Sequence, residues 1–266
     1  MESPIPLADY TKRALYAVTW ISMTCFALYI AIFYGGAIPA HALEDWNLLL
    51  PDVYVKGALV QTAAIAAHFI AGAVLLAIGP AQIITGHHGI TPKLHRVTGR
   101  IYAAAAAFAG FGGLTYIALQ GTVGGTVMDI GFSLYGLSVI VAALETYRNA
   151  RMKRFDRHRA WAIRLVALAV GSWLFRLDYG LWLKATHGLG HSQSYRGPFD
   201  QIMAFFFYVP NLLIAELIIR RPEQSTWSRA ALGVVTGTAT VLVATSTYLF
   251  GASSWWPHIA ARLGIG

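Results

Sequence analysis

Seven stretches of this chain, at 14–38, 58–84, 97–119, 129–147, 160–183, 201–219 and 230–251, are long and almost free of charge. No other feature constrains the fold as much. A segment in lipid must satisfy every backbone N–H and C=O internally, which leaves helices or closed barrels. Each stretch is long enough to cross about 30 Å of hydrocarbon at about 1.5 Å per helical residue. The short alternating strands of a barrel are absent. The chain is 56% hydrophobic and 12% charged, against about 25% charged in soluble domains. The expected fold is therefore all-α: one integral membrane domain over 1–266, a polytopic bundle of seven transmembrane helices. Pro80 and Pro210 fall inside two of the spans and predict kinks there.

Charge predicts the orientation. With the N-terminus inside, Lys12, Arg13, Lys93, Arg96, Arg100, the cations from Arg148 to Arg164, Arg220, Arg221 and Arg229 share the inner side. That is fifteen of the 20 Lys and Arg, and Lys56, Arg176, Lys184, Arg196 and Arg262 make up the other five. The positive-inside bias then puts the N-terminus in and the C-terminus out, as in a multi-pass protein of a bacterial inner membrane. The net charge of +8 is thus a topology signal that calls for no nucleic-acid partner. It would hold anionic lipids at the inner face. The lone Cys25 makes no disulfide framework. The first span exceeds a signal-peptide core and is expected to be retained, although "AIPAHA" after it resembles a cleavage site.

The longer loops, 39–57 and 184–200, fall outside, with His187 and His191 in the second, and Trp255 and Trp256 are expected in an outer aromatic belt. "GTVGGT" at 121–126 reads as a tight turn rather than a phosphate loop. The third span, "AAAAAFAGFGG", is built of small residues, which let helices approach closely or leave room for a flat cofactor.

Two inner helix starts echo each other. "HRVTGR" places His95 and Arg96 before Arg100, and "HRAWAIR" places His158 and Arg159 before Arg164. The pair suggests a repeat of hairpins two–three and four–five. Arginines there can simply pin inner loops and snorkel to headgroups. A histidine before each fits a second use: two imidazoles at one depth for a haem b iron, with arginines and helix N-termini for its propionates. His87 and His88 are loop alternatives. Glu145 and Glu216 are expected to neutralise Arg148, Arg164 or Arg220.

A second polar layer lies in the outer third. His68 sits about 24 Å from the inner end of its helix. Arg176, Asp178, Tyr179, Asp200, Gln201, Asp129 and Tyr116 fall near that depth. Intramembrane ionisable groups are costly and mark a site or a buried pair. His68, Arg176 and Asp178 are the candidates for a catalytic pocket that accepts a proton, for example from a quinol. His68 and His95 differ by roughly 20 Å in depth and cannot share one iron.

The stretches "HFIAGAVLLAIGPAQ", "LHRVTGRIY" and "HRAWAIR" resemble an uncharacterised family of bacterial membrane proteins, domain of unknown function 2306. The likeness runs from about His68 to Arg176 and implies no established activity. The "LHRxxGR" start is also similar to helix starts in b-type cytochromes and ferric reductases. No span here, however, carries two histidines along one face as stacked haems require. Two functions remain in view: a membrane redox protein using haem b and a quinone, or a non-redox protein. The latter would be a small transporter or an accessory subunit packed with other membrane subunits.

Overall fold

The computed structural model describes residues 7–88, 92–220 and 226–265, and among them it contains helices and turns but no strand. The helices are α1 (Leu7–Tyr29), α2 (Leu59–His88), α3 (Pro92–Gln120), α4 (Thr126–Arg151), α5 (Phe155–Thr186), α6 (Pro198–Phe206), α7 (Val209–Arg220), α8 (Thr226–Phe250) and α9 (Trp256–Leu263). Seven spans are long and apolar enough to cross a membrane, as the sequence predicts. The odd number puts the two chain ends at opposite ends of the bundle. We call the end with the α2–α3 and α4–α5 connections the basic end, and the other the loop end. Arg221 lies outside the described residues, as do the side chains of His87, His88 and Arg229.

Three spans are compound, and the first runs from α1 into a π-helical segment at Ile30–Gly35. The sixth is α6 and α7, broken at Phe207–Tyr208 just before Pro210, because a proline supplies no N–H to the preceding turn. Pro80 lies within α2, which continues through it; Tyr16 of α1 donates a hydrogen bond to the Pro80 carbonyl. In the seventh, a π-helical turn at Gly251–Trp255 joins α8 to α9. That turn corrects the aromatic-belt expectation for Trp255. It rotates the indole inward, where it packs on Phe26, Tyr29 and Phe250 and is 3% exposed. Only Trp256, 59% exposed, faces outward.

The central core lies among α2, α3, α4 and α5. Leu75, Tyr102, Ala106, Ala109, Val139, Ala143, Leu165 and Leu168 fill it, with Phe207 and Tyr208 from the α6–α7 break. The small residues of α3 serve close packing. A Cβ on Gly112 would stand 2.5 Å from the Ala64 carbonyl oxygen of α2, and one on Gly110 3.0 Å from the Gly136 carbonyl oxygen of α4. Backbones this near exclude any side chain larger than hydrogen. The 121–125 connection is the tight turn expected: Gly121 and Gly125 take positive φ, and Asp129 accepts the Thr122 N–H at 2.6 Å.

A second core joins α1 to α2, α5 and the α8–α9 junction through Met23, Phe26, Phe33, Leu76, Trp173, Leu177 and Trp255. At its centre the fully buried Ser22 hydroxyl accepts a hydrogen bond from Trp173 Nε1 at 3.0 Å and donates its own proton to Thr247 Oγ1 at 2.6 Å, since the Thr247 proton goes to the Val243 carbonyl. One small hydroxyl thus ties α1, α5 and α8 together. At the loop end, Arg262 of α9 pairs with Asp45 at 2.8 Å and lies over the Phe33 ring.

Candidate functional site

Each of the two His–Arg segments opens its helix in the same way. His95 is the fourth residue of α3, and His158 the fourth of α5. The α2–α3 and α4–α5 hairpins pack side by side through α3 and α4, which brings these first turns together at the basic end. The two imidazole centroids are 6.4 Å apart, with ring planes crossed at 80°.

Hydrogen bonds fix how each ring is turned. His158 Nδ1 lies 2.9 Å from the Thr146 carbonyl oxygen. A carbonyl can only accept, so Nδ1 carries the proton and the Nε2 lone pair is left over. His95 Nδ1 lies 3.1 Å from Thr85 Oγ1. That hydroxyl spends its own proton on the Ala81 carbonyl at 2.8 Å, so it accepts from His95 as well. Nε2 of neither histidine has a protein partner among the described residues. Tethering Nδ1 to a fixed oxygen and presenting Nε2 is how proteins orient metal-binding imidazoles.

The donor set is sparse. Among the described residues no three His, Cys, Asp or Glu side chains gather as a metal cluster. Two imidazoles are too few for a structural zinc, which takes four protein ligands. They match the demand of an iron whose other four positions a porphyrin fills.

The arginines divide. Arg96 is exposed and bonds its own-helix Pro92 carbonyl at 3.2 Å. Arg159, just past the first turn of α5, and Arg100, on the third turn of α3, are exposed. Arg164 is committed elsewhere: it pairs with Glu216 at 2.5 Å and lies 4.7 Å from the Trp161 ring centre. Arg220 joins Glu216 at 3.5 Å, and Arg148 pairs with Glu145 at 3.0 Å. Glu145 and Glu216, at the basic end, thus neutralise the arginines expected of them.

The polar layer toward the loop end is only partly assembled. His68 Nδ1 donates to the Ala109 carbonyl oxygen of α3 at 2.8 Å. Bare Gly113 makes room for the ring, since a Cβ there would stand 3.1 Å from Nδ1. His68 therefore also presents its Nε2, and Arg176 lies within electrostatic reach of it. Arg176 points into the bundle toward Phe26, 5.5 Å from its ring centre, and toward the hydroxyls of Tyr29, Tyr34 and Tyr135. Its one hydrogen bond goes to the Ser172 carbonyl of its own helix at 2.9 Å. It pairs with no carboxylate among the described residues.

Asp178 does not join them, contrary to expectation. Two residues along a helix is a turn of about 200°, so Asp178 leaves α5 on the side opposite Arg176. Asp200 belongs to a different knot. Fully buried, it accepts from Tyr179 Oη at 2.8 Å, His191 Nδ1 at 2.7 Å, Ser192 N at 3.0 Å and Gly197 N at 2.9 Å. These bonds fold the 187–197 loop onto the start of α6. Burial, then the Asp200 charge, holds the neighbouring Tyr195 hydroxyl above its ordinary pKa. Sequence reasoning noted His191 and Asp200 but not their pairing. The only local signal was Asp200 as the third helical residue after Gly197, where a carboxylate caps a helix.

These observations define a seven-span helical membrane protein with a paired-imidazole site at one end and an arginine–histidine layer nearer the other. Residues 65–219, more than half of the chain, match the family described as predicted membrane protein, DUF2306, and the chain belongs to that family. The match covers α2 to α7, and with them both histidine sites. No curated protein and no solved structure matches the chain.

Proposed function

We propose that this is a membrane redox protein that holds haem b between His95 and His158 and moves electrons to or from a quinol near His68. The observation that carries this reading is the pair of imidazoles at 6.4 Å, each held through Nδ1 with Nε2 free. Haem would supply one-electron exchange. His95 and His158 are the residues that would hold it, and the bonds from Nδ1 to Thr85 and to the Thr146 carbonyl would keep both rings in the tautomer whose Nε2 is left for a metal. Arg100 and Arg159 are cations left for propionate carboxylates; Arg164 is already taken by Glu216. At the other layer, His68 presents Nε2 to a quinol hydroxyl, and the Arg176 charge beside it would hold the negative oxygen left when that hydroxyl gives up its proton. A quinol giving up electrons must give up protons there.

The test is spectroscopic. Protein expressed with haem supplementation should be red, and its Soret band should shift on dithionite reduction. His95→Ala and His158→Ala should each abolish the low-spin spectrum in a folded, monodisperse protein. A colourless wild type that takes up no added haem would sink the proposal and leave the non-redox reading, a small transporter or an accessory subunit.

A further inference from the structure

We propose that the cleft between the end of α4 and the start of α5 binds the phosphates of an anionic membrane lipid whose headgroup carries two negative charges. The cleft has a volume of about 300 Å³, and its lining includes Arg148, Arg154, Arg157, Arg164 and Trp161. Periodicity builds it. Arg157, Trp161 and Arg164 stand at i, i+4 and i+7 on α5. Glu145, Arg148 and Asn149 stand at i, i+3 and i+4 on α4, so each set shares one face. Ala160 leaves the space between open. Arg154 closes the end from the turn, where Lys153 takes positive φ and the Arg154 N–H bonds the Asn149 carbonyl at 2.9 Å.

Charge sets the ligand. Of the four arginines, Arg148 is matched by Glu145 and Arg164 by Glu216. Arg154 and Arg157 pair with no carboxylate among the described residues, so the cleft keeps two positive charges. Guanidinium forks match phosphate oxygens in shape as well as charge. The volume sits at the lower end for small-ligand sites, which suits a headgroup.

The apolar side points to a lipid rather than a free phosphate. Leu137, Val141 and Leu144 stand at i, i+4 and i+7 on α4 and lead directly to Arg148 at i+11. All three apolar side chains are exposed on the protein surface within the span. An acyl chain laid along that strip brings its headgroup to the cleft. Trp161, half-buried beside Arg164, stands where an indole favours the headgroup level.

Native mass spectrometry of the detergent-solubilised full chain tests this with three probes: diphosphatidylglycerol, phosphatidylcholine and inorganic pyrophosphate. Diphosphatidylglycerol should bind one to one. The Arg154→Gln/Arg157→Gln double variant should bind it at least about tenfold more weakly, as expected for lost charge-assisted hydrogen bonds. Arg151→Gln/Lys153→Gln removes two neighbouring cations outside the cleft and should leave binding unchanged. Equal losses in both double variants would mean diffuse surface charge and overturn the site. Phosphatidylcholine binding as tightly, or pyrophosphate displacing the lipid at equal concentration, would overturn the lipid headgroup as its ligand. No haem is needed for any of these measurements.

Discussion

Replacing Gly112 with alanine probes the closest contact in the bundle. The added methyl would stand 2.5 Å from the Ala64 carbonyl oxygen and 3.0 Å from the His68 backbone nitrogen, and neither is a side chain that can swing away. Ordinary contact begins at 3.4 Å, so α2 and α3 must part locally by 3.4 − 2.5 = 0.9 Å. The His68 Nδ1–Ala109 carbonyl bond spans the same interface at 2.8 Å. Opened by the full 0.9 Å it reaches 3.7 Å, which is no longer a hydrogen bond. Overpacking costs about 1–3 kcal/mol and the lost bond about 1 kcal/mol. The variant should melt roughly 5–10 °C lower in detergent. Gly72→Ala on α2 is the internal control. Nothing lies within 4 Å of its added Cβ, so it should be neutral, or stabilising by up to about 1 kcal/mol through helix propensity. Gly112→Ala melting with the wild type would refute the close backbone approach and, with it, the packing account of the α3 small residues.

Asp200→Ala should destabilise the protein by about 3–5 kcal/mol, because four donors lose a buried charged acceptor; limited proteolysis should then cut first within 187–197. Ser22→Ala should cost about 1–2 kcal/mol in thermal unfolding by stranding the buried Trp173 N–H. Asp178→Asn should leave the melting temperature and any quinol-linked activity unchanged, whereas Arg176→Gln should lower that activity. The Tyr195 pKa is raised above its unfolded value of about 10. The stability from its neutral hydroxyl is therefore complete below pH 10 and declines as pH rises through the folded value, which ultraviolet titration of Tyr195→Phe against wild type can isolate. A phosphatase fused after Gly266 should be active if the charge bias orients the bundle as expected.

Span number and the meeting of His95 with His158 could be read from the sequence because both follow from one-dimensional rules. Apolar length sets a span, and helix starts at matching depth meet when their hairpins pack. Arg176 and Asp178 show where depth alone misleads. They differ by about 3 Å along the helix axis but by about 200° around it. Reading depth without the helical wheel put both in one pocket. Trp255 failed for a related reason, since a π-helical turn shifts the phase of every residue after it. The Tyr179–Asp200–His191 knot depends on a loop path, and the Ser22 link joins residues 225 positions from Thr247. Neither leaves a periodic signal.

That separation also has a meaning in time. The family match leaves out α1 and α8, yet these two helices pack on each other, and Ser22 of α1 is shared between α5 and α8. Synthesis at about 5–20 residues per second puts about 11–45 s between the emergence of Ser22 and that of Thr247. For that interval α1 sits in the membrane without the helix that completes its packing. Trp173 emerges 151 residues after Ser22, before Thr247 does. The order of synthesis therefore makes the α5 partner of Ser22 available before the α8 partner.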